Sequence, residues 1–168
     1  MSRAPSMILA VETAMAALTP SAYQAAGAPV AGFGENNATA FTAVDSMREF
    51  GASGMPREFI VSLNFGSAAE DTIITAGDSN GTGDWYLRVV VVTRHRNDGM
   101  RETLFHALVA DDHRIIMDGV LRKVREAAPA GLNDIRLGDG GVSMEFDEQG
   151  QFASSFIPFT IVYRDNVA

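Results

Sequence analysis

The 168 residues contain no cysteine. Disulfides, thiolate metal ligands and cysteine nucleophiles are therefore excluded together, although nothing follows about compartment. Lysine is almost missing as well. Lys123 stands against 12 arginines, and 13 basic residues face 21 acidic ones for a net charge of −8. A surface built to wrap nucleic acid needs clustered cations, so that is not the main role of this chain. Long apolar runs are lacking too. The longest aliphatic run, Val89–Val92, falls far short of the roughly 20 residues that span a bilayer as a helix. Near the N-terminus, Arg3 precedes an alanine-rich run already broken by Glu12 and Thr13, unlike the clean apolar core of a secretory leader. A soluble protein with no membrane partner is expected.

Several chemical signatures are also missing. No HExxH motif occurs, and His95, His106 and His113 fall on separate expected elements; they read more simply as surface or interface histidines than as metal ligands. Gly32-Phe33-Gly34 and Gly138-Asp139-Gly140-Gly141 lack the order of a phosphate cradle, and there is no GxxxxGK[ST]. Asp78–Asp84 opens somewhat like a calcium loop, but the place of its closing bidentate glutamate is taken by Val89. Glu70-Asp71 and Asp111-Asp112 read as loop charges and helix caps, since a general acid needs a pocket that raises its pKa. No cofactor, metal or catalytic residue is assigned, and the expectation is that the chain is not an enzyme.

What is present is a hydrophobic fraction of 46% with 20% charged residues, enough for one folded domain over 1–168. Ile8, Val11, Met15 and Leu18 recur at helical spacing before Thr19-Pro20, predicting a first helix. Residues 27–56 carry scattered Gly and Pro and predict an irregular arm, with one short helix around Ala43–Phe50. Glu58–Phe65 alternates Phe59, Val61, Leu63 and Phe65 on one face, as a half-buried strand does. Trp85–Arg96 predicts a long strand whose all-valine centre belongs in mid-sheet.

Leu104, Phe105, Leu108 and Val109 predict a short amphipathic helix. Asp111-Asp112 then offers an N-cap for a stronger one, in which Ile116, Val120 and Val124 recur every four residues until Pro129 and Gly131. Asn133–Leu137, Val142–Phe146 and Phe156–Arg164 predict a closing β-meander, with Pro158 at an edge or bulge because it cannot donate to a ladder. The sum is an α+β fold, an antiparallel or mixed β-sheet with helices packed against one face. Arg88, Arg94 and Arg96 share parity and so one strand face. They fit a solvated face equally with an intersubunit ion-pair strip.

The succession of WYLRVVVV at 85–92, DDHRIIMDGVLRKVREA at 111–127 and FIPFTIVYRD at 156–165 resembles the tail terminator (tail completion) and neck proteins of long-tailed bacteriophages. The resemblance covers roughly Arg57–Asp165. It implies a homo-oligomeric ring, a hexamer, that caps the tail tube, meets the head-side connector protein and lets DNA pass through its lumen. It also implies assembly in the host cytoplasm and residence in the virion. Arg88, Arg94 and Arg96, with Phe33 and Phe41 of the arm, are then candidates for the subunit interface. Asp78, Asn80, Asp84 and Asp139 are candidates for loops touching the tube protein or the connector. An acidic wall would keep phosphate from sticking. A tail tube or other virion building block is the alternative, and a small enzyme a more distant one.

Overall fold

The computed structural model describes residues 3–21, 41–44, 56–63, 73–77, 83–97, 99–148 and 150–164. Helix α1 (Ala4–Ala16) has a proline in its first turn, where the missing N–H costs nothing. Its buried residues are Met7, Val11, Ala14 and Met15; of the expected stripe Val11 and Met15 are among them, Ile8 is half-buried and Leu18 lies beyond the helix end. Seven strands follow among the described residues: β1 (Thr42–Ala43), β2 (Arg57–Leu63), β3 (Ile73–Gly77), β4 (Gly83–Arg96), β5 (Leu132–Leu137), β6 (Gly141–Asp147) and β7 (Gly150–Arg164). Between β4 and β5 runs a second helix, α2 (Glu102–Ala127).

All seven strands form one sheet around the antiparallel pair of β4 and β7, whose register runs from Asp84↔Arg164 to Arg96↔Phe152. Each long strand carries two short ones on its far side. β2 lies along Val89–His95 of β4 and β3 along Gly83–Leu87. β5 lies along Phe159–Tyr163 of β7 and β6 along Gly150–Phe156. β1 adds to β2 in parallel, which makes the sheet mixed. The fold is α+β with both helices on one face.

Alternation decides what that face buries. Leu87, Val89 and Val91 of β4, with Ile157, Phe159, Ile161 and Tyr163 of β7, meet Ile116, Val120 and Val124 of α2 and the α1 stripe in one apolar core. Burying each such side chain contributes about 1.5–3 kcal/mol. Val92 is also buried on the opposite face, in keeping with the mid-sheet place expected for the valine run. At Gly119 the chain just after α1 packs so closely on α2 that a Cβ would lie 2.3 Å from Leu18 Cδ2.

Four expectations need correction. The two helical pieces expected on either side of Asp111 are one continuous helix, and α2 has no side-chain N-cap. Asp112 is buried in its middle, its carboxylate committed to other elements and so not competing for the helix backbone. Secondly, the closing strands are no meander. β5 and β6 both pair with β7, as one hairpin arm interrupted at Gly138–Gly140. Thirdly, Pro158 lies inside β7, opposite Val90 of β4. Its carbonyl accepts from Gly138 N–H at 2.8 Å. A residue's N–H and C=O point to the same side of a strand, so its missing donor faces the break between β5 and β6, where no ladder bond is lost. Lastly, the short helix expected at 43–50 begins instead on a β1 residue, Ala43; its remainder, and the arm apart from 41–44 and Pro56, lie outside the described residues.

Candidate functional site

A polar layer crosses the core at one level of three elements. Going along β4, the inward residues pass from Val89 and Val91 to Thr93 and His95; along β7, Ile157 gives way to Ser155; along α2, Ile116 gives way to Asp112. Thr93, His95, Asp112 and Ser155 all have zero exposure. Beyond them Phe105, Val109 and Ala153 form a second, smaller apolar cluster. The layer thus divides two hydrophobic regions.

Asp112 is its hub. Its Oδ2 accepts from Arg57 Nε at 2.6 Å and from His95 Nε2 at 2.8 Å. Its Oδ1 accepts from the Ser21 backbone N–H at 2.7 Å. Arg57 Nη2 donates to the Ser21 carbonyl, and Ser21 Oγ donates to Asp111 Oδ2 at 3.1 Å. One carboxylate therefore ties together the start of β2, the end of β4, the middle of α2 and the chain just after α1. A buried charge is tolerated only when paired and hydrogen-bonded in this way. Phe41 closes the group, edge-on to His95 with ring centroids 5.9 Å apart and 5.9 Å from the Arg57 guanidinium carbon.

A carboxylate joined to an imidazole has the chemistry of an acid–base pair, but this one is sealed. Arg57, His95 and Asp112 are all 0% exposed, so no substrate atom reaches them. The neighbouring histidines have other settings. His113 has its pKa lowered from the ordinary value, first by burial and then by His95. His106 Nε2 lies 3.3 Å from Gln151 Nε2, and Gln151 Oε1 accepts from Asn97 Nδ2 at 2.9 Å. Asn97 also accepts from Met100 N–H at 2.7 Å, shaping the turn from β4 into α2. Among the described residues, no three His, Asp or Glu side chains gather as a metal would require.

The residues singled out from the sequence scatter. Arg88, Arg94 and Arg96 do share a face, the one turned away from the helices. Arg94 stacks 3.7 Å above the Phe152 ring and stands across from buried Glu58. Phe41, expected between subunits, is only 7% exposed and buried inside its own chain. Asp84, expected on a free loop, is the second residue of β4 and accepts from Asn133 Nδ2 at 2.6 Å, with Arg164 Nη2 at 3.5 Å. Asp139 is exposed in the break between β5 and β6. Phe33, Asp78 and Asn80 lie outside the described residues.

Sequence reasoning missed Arg57 and Asp112, though a signal was there. Arg57 has the parity of Phe59, Val61 and Leu63, and Asp112 is the next step back along the Ile116–Val120–Val124 stripe. A second overlooked match is Gly77-Asp78-Ser79-Asn80-Gly81, which has the Gly-x-Ser-x-Gly spacing of a serine-hydrolase elbow. That device needs a strand leading into a helix. Here the segment joins β3 to β4, two strands antiparallel to each other.

The surface holds a different feature. β6 pairs only with β7 among the described residues, and its inward parity reads Val142, Met144, Phe146, with no helix covering the end of that row. All three are exposed, Phe146 by 73%. An edge strand normally defends its free N–H and C=O groups with charge, proline or brevity; this one spans seven residues and alternates its apolar row with the charged Glu145 on the other face. Two open grooves mark the helix layer. One of about 430 Å³ runs past Leu18, Arg114, Asp118, Arg122 and Lys123. The other, about 500 Å³, runs along Leu9, Ala10, Thr13 and Lys123.

No protein-family model and no curated protein matches this chain.

Proposed function

We propose that this chain is a structural virion protein, a tail terminator or neck subunit. It forms a closed ring on the tail tube of a long-tailed bacteriophage and joins it to the head-side connector. The observation that carries the reading is the edge strand β6, a seven-residue strand paired with β7 on one side and, among the described residues, with no strand on the other, presenting Val142, Met144 and Phe146 to solvent. Such an edge is a hazard in a solitary protein and an asset in an assembling one, where a neighbour covers it. The same row of strands begins at its far side with β1, which runs antiparallel to β6. Two unlike edges on one sheet suit a head-to-tail contact, the kind that closes into a ring. The long strand β4, the long helix α2 and the closing strand β7 fall on the three segments that carry the resemblance, although the closing strands form a hairpin and not the expected meander. The net charge of −8 suits a lumen through which DNA slides.

The test is to image the purified protein alone and with tail tubes. Closed six-fold rings, and tubes that stop growing when the protein is added, are the expected results. Open filaments would instead make it a tube building block. A particle that stays monomeric at high concentration and ignores tubes would remove the proposal.

A further inference from the structure

In and beside the polar layer, four buried atoms of the described residues have no hydrogen-bonding partner: Thr93 Oγ1, Ser155 Oγ, His95 Nδ1 and His113 Nδ1. They converge. Thr93 and Ser155 are direct partners across β4 and β7 and share the helix-facing side, where opposed Cβ atoms lie about 4.5–5.5 Å apart. His95 is the next inward residue after Thr93. His113 follows Asp112 in α2 and lies near enough to His95 for their charges to interact. Folded proteins rarely leave even one such atom unsatisfied, and four in one locus need a common explanation.

We propose that this locus is an internal hydration site, one or two ordered waters enclosed between β4, β7 and α2 and held by Thr93, Ser155, His95 and His113.

The chemistry of the lining selects water over other small occupants. His95 gives its Nε2–H to Asp112, so in the neutral ring Nδ1 is an acceptor that needs a donor. The two hydroxyls can each donate and accept. Water offers two donors and two acceptor sites, the mixture this set calls for. A cation would seek carboxylate oxygen, but both oxygens of Asp112 are already engaged, Oδ1 by Ser21 and Oδ2 by Arg57 and His95. An apolar guest would satisfy none of the four atoms. Buried waters occur at about one per 27 residues and bind where two to four polar groups meet. The site is independent of the assembly proposed above, because it lies within a single subunit.

Two measurements decide it together. A crystal structure of the unmodified protein should show solvent density within hydrogen-bonding distance of at least two of the four atoms. Thr93→Val, which exchanges a hydroxyl for a methyl of equal size, should lower the melting temperature by about 2–6 °C, because the water loses a partner. Ser155→Ala serves as the second variant and should act in the same direction. A hydroxyl with no partner predicts the reverse, since replacing it with a methyl relieves an unsatisfied buried group. No solvent density at the locus, or a Thr93→Val protein at least as stable as the original, overturns the proposal.

Discussion

Arg57 Nε and Asp112 Oδ2 meet at 2.6 Å with both side chains wholly buried, joining the first residue of β2 to the centre of α2. A hydrophobic pair of the same size could hold the same elements together, often as stably. What an apolar pair would lack is direction. Three donors on one carboxylate accept only one rotation of α2 over the sheet, so the layer selects the helix register that the apolar stripe alone would leave looser.

Breaking that hub should be costly. Asp112→Asn keeps the size but removes the charge of the carboxylate on which Arg57 Nε, His95 Nε2 and Ser21 N–H converge. A loss of about 3–5 kcal/mol is expected, seen as a lower urea midpoint at unchanged slope. A loss below about 1 kcal/mol would mean that the guanidinium readily finds solvent.

Acid should weaken the fold through His113. Its folded-state pKa lies below the usual 6.5, so between those values the unfolded chain binds more protons than the native one. The contribution is complete above pH 6.5 and is lost as pH falls through the folded value. Stability measured from pH 7.5 to 5 should therefore decline with acid, and His113→Gln should flatten the slope. Asp134 acts lower down. The hydrogen bond from Arg136 holds its carboxyl below the usual range, so its share is present above pH 3.8 and fades in stronger acid.

Phe146 separates assembly from folding. Being 73% exposed, it can become Ser with a change in subunit stability of about 0.5 kcal/mol or less. If β6 is the ring contact, Phe146→Ser should weaken each contact by about 2 kcal/mol, roughly 30-fold. Light scattering should then find rings replaced by smaller species, with an unaltered melting curve at low concentration.

Gly131 should resist replacement. It sits at φ +88°, and a Cβ would lie 2.6 Å from the Arg164 carbonyl oxygen, next to the bond from Arg164 N–H to the Gly131 carbonyl. Gly131→Ala combines a left-handed residue with a backbone collision, for a cost of about 1–3 kcal/mol. Gly141, with open space around its Cβ position, is the matched control and should tolerate alanine far better.

The fold was legible wherever one periodicity ruled. The Ile116–Val120–Val124 stripe and the alternation from Phe59 to Leu63 placed their elements because burial on one side is all they encode. Legibility ended where a polar residue took an apolar position. Asp112 looked like a cap because its partners, Arg57, His95 and Ser21, are remote in sequence, and parity shows a direction without naming who waits there. Pro158 looked like an edge residue because the break that accommodates it belongs to the neighbouring arm. Of the candidate interface, the arginine face was visible from parity, whereas the exposure of β6 was not. Val142, Met144 and Phe146 alternate as core residues do, and only the missing cover tells them apart.

The β4–β7 ladder has a bearing on biogenesis. Arg96 must wait for Phe152 to leave the ribosome before that ladder can begin, so the valine-rich flank of β4 stays bare while α2 and the second hairpin are being made. Nascent chains in that interval are natural clients for holdase chaperones, and synthesis without them should favour inclusion bodies over folded subunits.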